Sequence, residues 1–259
     1  MMRKEFTYFA TALMFFTRIP IPFTLEYSDE IMNKSQKYFP MVGWIVGGFS
    51  ALLFWLAQHV FSIEISIVLS MIGSVLLTGA FHEDGFTDSC DAFGGGYGKE
   101  KIMTIMKDSR IGAYGVIGII LLLLLKFLTL STISNQSIEM VLIAIVAAHT
   151  SSRFMAGTMI YTHQYVTDID KSKSKPLANK RLSYTSLFFS LCITLLPFIL
   201  FQQWIFLWAL PISYLGKLYL GWYFKKHLGG YTGDCLGAVQ QVCEVLFYLA
   251  IILIWNYTS

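Results

Sequence analysis

Ile111-Gly112-Ala113-Tyr114-Gly115-Val116-Ile117-Gly118-Ile119-Ile120 runs into five consecutive leucines, Leu121 to Leu125, and then into Lys126-Phe127-Leu128-Thr129-Leu130-Ser131-Thr132-Ile133. A single charge interrupts an apolar run long enough to cross about 30 Å of hydrocarbon at about 1.5 Å per residue. No water inside a bilayer satisfies backbone N–H and C=O groups, so such a run has to be helical. Similar segments stand before it at 41–61 and 64–81, and after it at 138–160, 184–203, 204–224 and 238–256. Of the 259 residues, 55% are hydrophobic and 14% charged, and mean hydropathy is +0.59. A soluble domain usually carries about a quarter charged residues. The reading is all-α: a polytopic integral membrane helical bundle of about seven transmembrane helices. No polar stretch is long enough to bury a core of its own, so residues 1–259 form a single membrane-embedded domain.

Phe6 to Phe16 is too short to span and reads as an N-terminal interfacial or re-entrant helix. Arg18-Ile19-Pro20-Ile21-Pro22 interrupts it and no small-residue cleavage site follows, which argues against a removed signal. With seven crossings, segments 1–40, 82–110, 161–183 and 225–237 share one side of the membrane. They hold sixteen of the nineteen Lys and Arg residues; the other three, Lys126, Arg153 and Lys217, fall within spans. That asymmetry makes this side cytoplasmic. A net charge of +3 is too small to argue for a nucleic acid partner. The four cysteines form no CxxC pair and read as reduced thiols.

The segment that carries chemistry is His82-Glu83-Asp84-Gly85-Phe86-Thr87-Asp88-Ser89-Cys90-Asp91-Ala92-Phe93-Gly94-Gly95-Gly96. If it is helical, Asp84, Asp88 and Asp91 share one face about a turn apart. Stacked carboxylates repel unless a cation lies among them, and oxygen donors suit hard ions such as Mg²⁺. The plain alternative is a solvated acidic face outside a membrane helix. Glu83 is counted with the metal-binding acids, although its helical direction leads away from the Asp84 face. His82 is a candidate general base, with a simple hydrogen-bonding histidine as the alternative. Gly94 and Gly95, with Gly96, should stop the helix and let backbone N–H groups approach a phosphate.

Two further motifs fall on the same side. Lys107-Asp108-Ser109-Arg110, just before the third span, places two cations three apart on a helix around a carboxylate, able to grip phosphate. An ordinary basic helix anchor is the alternative. Gly229-Gly230-Tyr231-Thr232-Gly233-Asp234 leads into the last span, with Gly230, Thr232 and Asp234 as substrate-binding candidates. An N-cap role would account for Asp234 without function. Within the spans, Arg153 is expected to reach substrate phosphate, with His149 one turn earlier. Lys217 is expected to pair with Glu244, and Lys126 has no assigned partner.

These motifs, with Phe16-Thr17-Arg18-Ile19-Pro20 and Tyr38-Phe39-Pro40-Met41-Val42-Gly43, resemble the cobalamin synthase family, the adenosylcobinamide-GDP ribazoletransferases of bacterial inner membranes. The resemblance covers most of the chain and is strongest across His82–Gly95 and Ile105–Ala113. It implies a catalytic domain that uses Mg²⁺ to join α-ribazole, or its 5′-phosphate, to adenosylcobinamide-GDP. The products would be adenosylcobalamin, or its phosphate, and GMP. It further implies Asp84, Asp88 and Asp91 as metal-binding acids, Lys107, Asp108 and Arg110 as the phosphate-handling motif, and Asp234 in the glycine-rich one. Two departures stand out: Ala92 where the family often has glycine, and a Lys/Ser-rich stretch over 161–181 in place of a tyrosine-arginine-glycine pattern.

Two other readings use the same acids. A CDP-alcohol phosphotransferase would place an arginine soon after Asp84-Gly85, where Phe86-Thr87 stands. A cation transporter would hold its carboxylates near the bilayer midplane rather than at one interface. The sequence is silent on oligomeric state and leaves room for a homo-oligomer.

Overall fold

A computed structural model describes residues 2–26, 28–166 and 183–258. The described residues are overwhelmingly helical; their one β-bridge joins Tyr165 to Tyr231. Helix α1 (Met2–Phe16) and the short α2 (Asp29–Ser35) precede α3 (Phe39–Ala57) and α4 (Ile63–Thr78). The acidic segment forms α5 (Phe81–Gly95), followed by α6 (Lys99–Met106). The long helices α7 (Ala113–Gln136) and α8 (Ile138–Thr162) come next. After residues 167–182, which lie outside the described part, stand α9 (Tyr184–Leu195), α10 (Ala209–Leu228) and α11 (Gly233–Thr258).

The outside of the bundle is apolar and the inside partly polar, the reverse of a soluble domain. Ile117, Ile120, Leu121, Leu124 and Leu128 of α7 are exposed, whereas Lys126 on the same helix is buried. Hydroxyls knit the interior: Ser50 Oγ donates to the carbonyl of Ser70 at 3.0 Å, and Ser70 Oγ returns a bond to that of Ser50 at 2.8 Å. In lipid, such bonds and the close approach of small residues replace a hydrophobic driving force between helices.

The expectation of seven spans is not reached by length and hydropathy. Among the described residues five helical stretches qualify, within Asp29–Ala57, Ala113–Gln136, Ile138–Thr162, Tyr184–Phe201 and Gly233–Thr258. A sixth arises only if α4 and α5 count together, and they meet at 90°. The expected span over 204–224 divides into a 3-10 turn, Trp204–Trp208, and α10, which carries Lys217, Lys225 and Lys226.

The break between α4 and α5 places the acidic helix. Gly79 (φ 68°) and Ala80 (φ 58°) are left-handed, and the Ala80 N–H reaches back to the carbonyl of Val75 at 2.9 Å. This closes α4 with a Schellman-type turn. The Arg18 guanidinium sits where a Gly79 side chain would be, beside the negative end of α4. Helix α5 then runs across the N-terminal ends of α7 and α11 instead of continuing as a span. It crosses α11 closely, because a Cβ on Gly85 would lie 3.0 Å from Asp234 Cα and one on Gly237 3.0 Å from the His82 carbonyl oxygen.

Candidate active site

Helix α5 presents two unlike faces, as a 3.6-residue period requires. Asp84 is exposed and Asp88 half-buried on the outer face. His82, about half a turn away, is 2% exposed and turned into the bundle. Its ring stacks with Phe16 at 6.3 Å and Phe39 at 5.9 Å. Burial first, and the Arg153 charge second, hold it well below the usual histidine range, so it is a neutral imidazole inside an aromatic stack. The structure therefore does not bring His82 to the outer carboxylates.

Asp91 shares their face, but its carboxylate turns onto α7. One oxygen accepts the Gly112 N–H and the other the Gly115 N–H, both at 2.7 Å. Those are orphan donors of the first turn of α7, next to its positive end. Asp91 is 8% exposed, so its first task is to cap α7 and fix α5 upon it.

The uncompensated charge lies on the remaining acids. The Asp88 carboxyl is pushed from 3.8 up to about 6, by burial first and then by Asp84, Asp234 and Asp91. Asp234 therefore belongs to this cluster. The Thr232 hydroxyl accepts the Cys235 N–H at 3.3 Å, so Thr232 serves as the N-cap of α11 and Asp234, half-buried, is free for another role. The spacing of the motif concealed this, since both residues are good caps. Among the described residues, no three His, Cys, Asp or Glu side chains converge tightly enough to hold a metal ion as they stand.

Lys107 and Arg110 do not share a helix face. Helix α6 ends at Met106, and Asp108 accepts the Arg110 backbone N–H at 3.1 Å, an Asx turn that outcompetes helix there. The same carboxylate takes Arg110 Nε at 3.0 Å and a terminal nitrogen at 2.6 Å. This grip holds the Asp108 carboxyl down at about 2. Arg110 is 87% exposed and Lys107 is exposed, so both remain open to a ligand beside α5.

The glycines have structural partners. A Cβ on Gly94 would meet the Tyr114 ring at 2.5 Å, one on Gly95 would make ordinary contact with Ile105 at 3.7 Å, and helix α5 ends there, as expected. Gly230 has no room for a side chain against the Gln164 carbonyl, where the Tyr165–Tyr231 bridge brings two backbones together.

Arg153 is 1% exposed and donates to the His149 carbonyl at 2.9 Å and to His149 Nδ1 at 3.1 Å. It points into the bundle, away from the outer acids. The expected Lys217–Glu244 pair does not form: Lys217 Nζ donates to Thr162 Oγ1 at 2.8 Å, while Glu244 pairs with Lys126. Facing direction decides this, because Lys126 of α7 and Glu244 of α11 both point into the centre. Sequence reasoning missed Gln240 and Gln241, whose signal was a Gln-Gln-x-x-Glu polar stripe in an apolar span. The stretch over 161–181 that departs from the family pattern lies mostly outside the described residues.

Fold and site together define a polytopic helical membrane protein with an acidic helix laid across one end of its bundle. The family model described as Cobalamin-5-phosphate synthase matches residues 8–252. Relatives named adenosylcobinamide-GDP ribazoletransferase are similar along nearly the whole chain. The one from Shewanella amazonensis is 42% identical over 254 residues, 98% of each chain. That from Vibrio parahaemolyticus is 42% identical over 261 residues, 98% of this chain and 95% of its own. No solved structure matches. The chain belongs to the cobalamin-5-phosphate synthase family.

Proposed function

We propose that this protein transfers α-ribazole, or its 5′-phosphate, onto adenosylcobinamide-GDP at the cytoplasmic face of a bacterial inner membrane. Adenosylcobalamin, or its phosphate, forms and GMP leaves. The end-to-end similarity to relatives bearing that activity in their names carries this reading. With seven crossings sixteen Lys and Arg residues gather on one side, and that arrangement is the ground for the orientation.

The ribazole hydroxyl attacks the phosphorus that carries cobinamide, a P–O bond forms, and the bond to the GMP oxygen breaks. Such transfers need charge neutralisation on the phosphoryl oxygens and in-line positioning. The donor set fits Mg²⁺, which takes one or two carboxylates and completes its shell with water and substrate phosphate. Asp84 and Asp88 would hold it, and Asp88 is the carboxylate most burdened by its neighbours. When bound, the ion supplies electrostatic stabilisation of the pyrophosphate oxygens. Arg110, pre-aligned by Asp108, and Lys107 meet the phosphates from the α6–α7 loop. Asp234, packed against Gly85 of α5, takes the hydroxyl proton, a role for which buried His82 is badly placed.

Asp84→Asn and Asp88→Asn test the assignment at limiting Mg²⁺. Each should lower turnover by about a hundredfold or more. Wild-type turnover in normally inserted variants would remove both residues from the metal site.

A further inference from the structure

Glu83 sits one residue before Asp84 yet faces away from it, into a run of hydrogen bonds through the middle of the bundle. Gln241 Nε2 donates to Glu83 Oε1 at 2.9 Å and to Gln240 Oε1 at 2.9 Å. Gln240 Nε2 donates to Glu244 Oε2 at 2.8 Å and to Ser152 Oγ at 3.0 Å. Glu244 is paired with Lys126 and accepts from Tyr248 OH at 3.4 Å. His149 Nε2 stands 3.6 Å from the same carboxylate, and its Nδ1 takes the Arg153 bond. Lys126, Arg153, Gln240, Gln241 and Glu244 are each 3% exposed or less.

The charges in this network balance in one way. Arg153 donates to His149 Nδ1, so that nitrogen carries no proton and the imidazole is neutral. Lys126 and Arg153 are then two buried cations against one internal anion, Glu244. The second anion within electrostatic reach of Arg153 is Glu83. Isolated buried charge is very unfavourable in hydrocarbon surroundings, so among the described residues the Lys126–Arg153–Glu244 cluster is neutral only with Glu83 held inward. Its Oε1 is engaged by Gln241 and its Oε2 is buried, which leaves neither presented to an outer ion.

We propose that Glu83 is a positioning residue. Its inward bond to Gln241 ties α5 to the buried Glu244–Lys126 network and sets the roll of α5 that presents Asp84 and Asp88 outward. This rests on the reading of those two acids as the ion-holding pair.

The test uses the full chain in lipid nanodiscs as four proteins: parent, Glu83→Ala, Gln241→Leu, and the double variant. Gln241 lies on α11 and touches no outer acid, so a direct-ligand role for Glu83 and a positioning role separate. The Mg²⁺ concentration giving half-maximal GMP release should rise about tenfold in each single variant, as when residues supporting metal ligands are removed. In the double variant it should rise by the same factor, because both changes cut one connection. A contact that merely held the fold would lower the melting temperature and leave this concentration unmoved. An unshifted Gln241→Leu, or a double variant whose effects multiply, overturns the proposal. Hydrogen exchange of the α5 amides gives a readout free of catalysis: both single variants should speed it alike. If the parent released no GMP, the functional reading would fall. Unchanged α5 exchange would separately sink the positioning role.

Discussion

The carboxylate of Asp91 accepts the backbone N–H of Gly115 at 2.7 Å, while its other oxygen holds Gly112. Two of the unsatisfied donors of α7 are thereby met from another helix, and α5 is locked in its crossing position. Asp91→Asn keeps one acceptor and loses the charge, and should cost about 1 kcal/mol. Asp91→Ala strands both donors and should cost about 2 kcal/mol or more. Thermal unfolding in detergent checks the order; equal stability for Asp91→Ala and wild type would exclude the cap.

Asp88 predicts a pH dependence. Its folded-state carboxyl stands at about 6 against 3.8 because burial and three neighbouring aspartates disfavour the anion. The stabilisation it contributes is complete below 3.8 and lost as the pH rises through 6. Mg²⁺ competes with that proton, so the rise in melting temperature produced by Mg²⁺ should grow as the pH climbs past the same value. A Mg²⁺-induced shift that stays flat across this range would argue against Asp88 as a ligand.

Arg110 should behave differently from Asp91. Its bond to Asp108 lies in solvent, where screening leaves an ion pair little effect on stability. Arg110→Ala should therefore leave the melting temperature nearly unchanged while cutting kcat/KM for adenosylcobinamide-GDP by about tenfold or more. A variant that lost stability but kept activity would make the motif a plain loop anchor.

Gly43 lies where α3 and α8 cross backbone to backbone. A Cβ there would lie 2.7 Å from Thr150 Cα and 2.9 Å from the His149 carbonyl carbon, both rigid backbone. Gly43→Ala should force α3 and α8 apart at a cost of about 1–3 kcal/mol, read as reduced thermal stability. Gly48 has open space at its Cβ and serves as the control, with Gly48→Ala near neutral.

Much of this was legible in the sequence because lipid imposes long apolar runs and because three aspartates at helical spacing stand out. Given a helix, which the structure forms over Phe81–Gly95, the shared aspartate face follows from the 3.6-residue period. Its direction did not, since the 90° turn depends on the left-handed Gly79-Ala80 pair and on Arg18 docking beside it. Asp91 looked equivalent to Asp84 and Asp88; only the position of the N-terminus of α7 separates them. The partner of Lys126 stayed hidden because hydropathy reports that a charge is buried and not which helix it faces. Lys107 and Arg110 were read onto a helix that the Asp108 side chain breaks.

Purified protein in nanodiscs, given adenosylcobinamide-GDP, tests the central claim most directly through GMP release with and without α-ribazole and Mg²⁺. The account predicts one GMP per corrinoid joined, with both additions required and Asp84→Asn nearly inactive. GMP release that ignored α-ribazole, or ion flux through proteoliposomes with no nucleotide turnover, would contradict it.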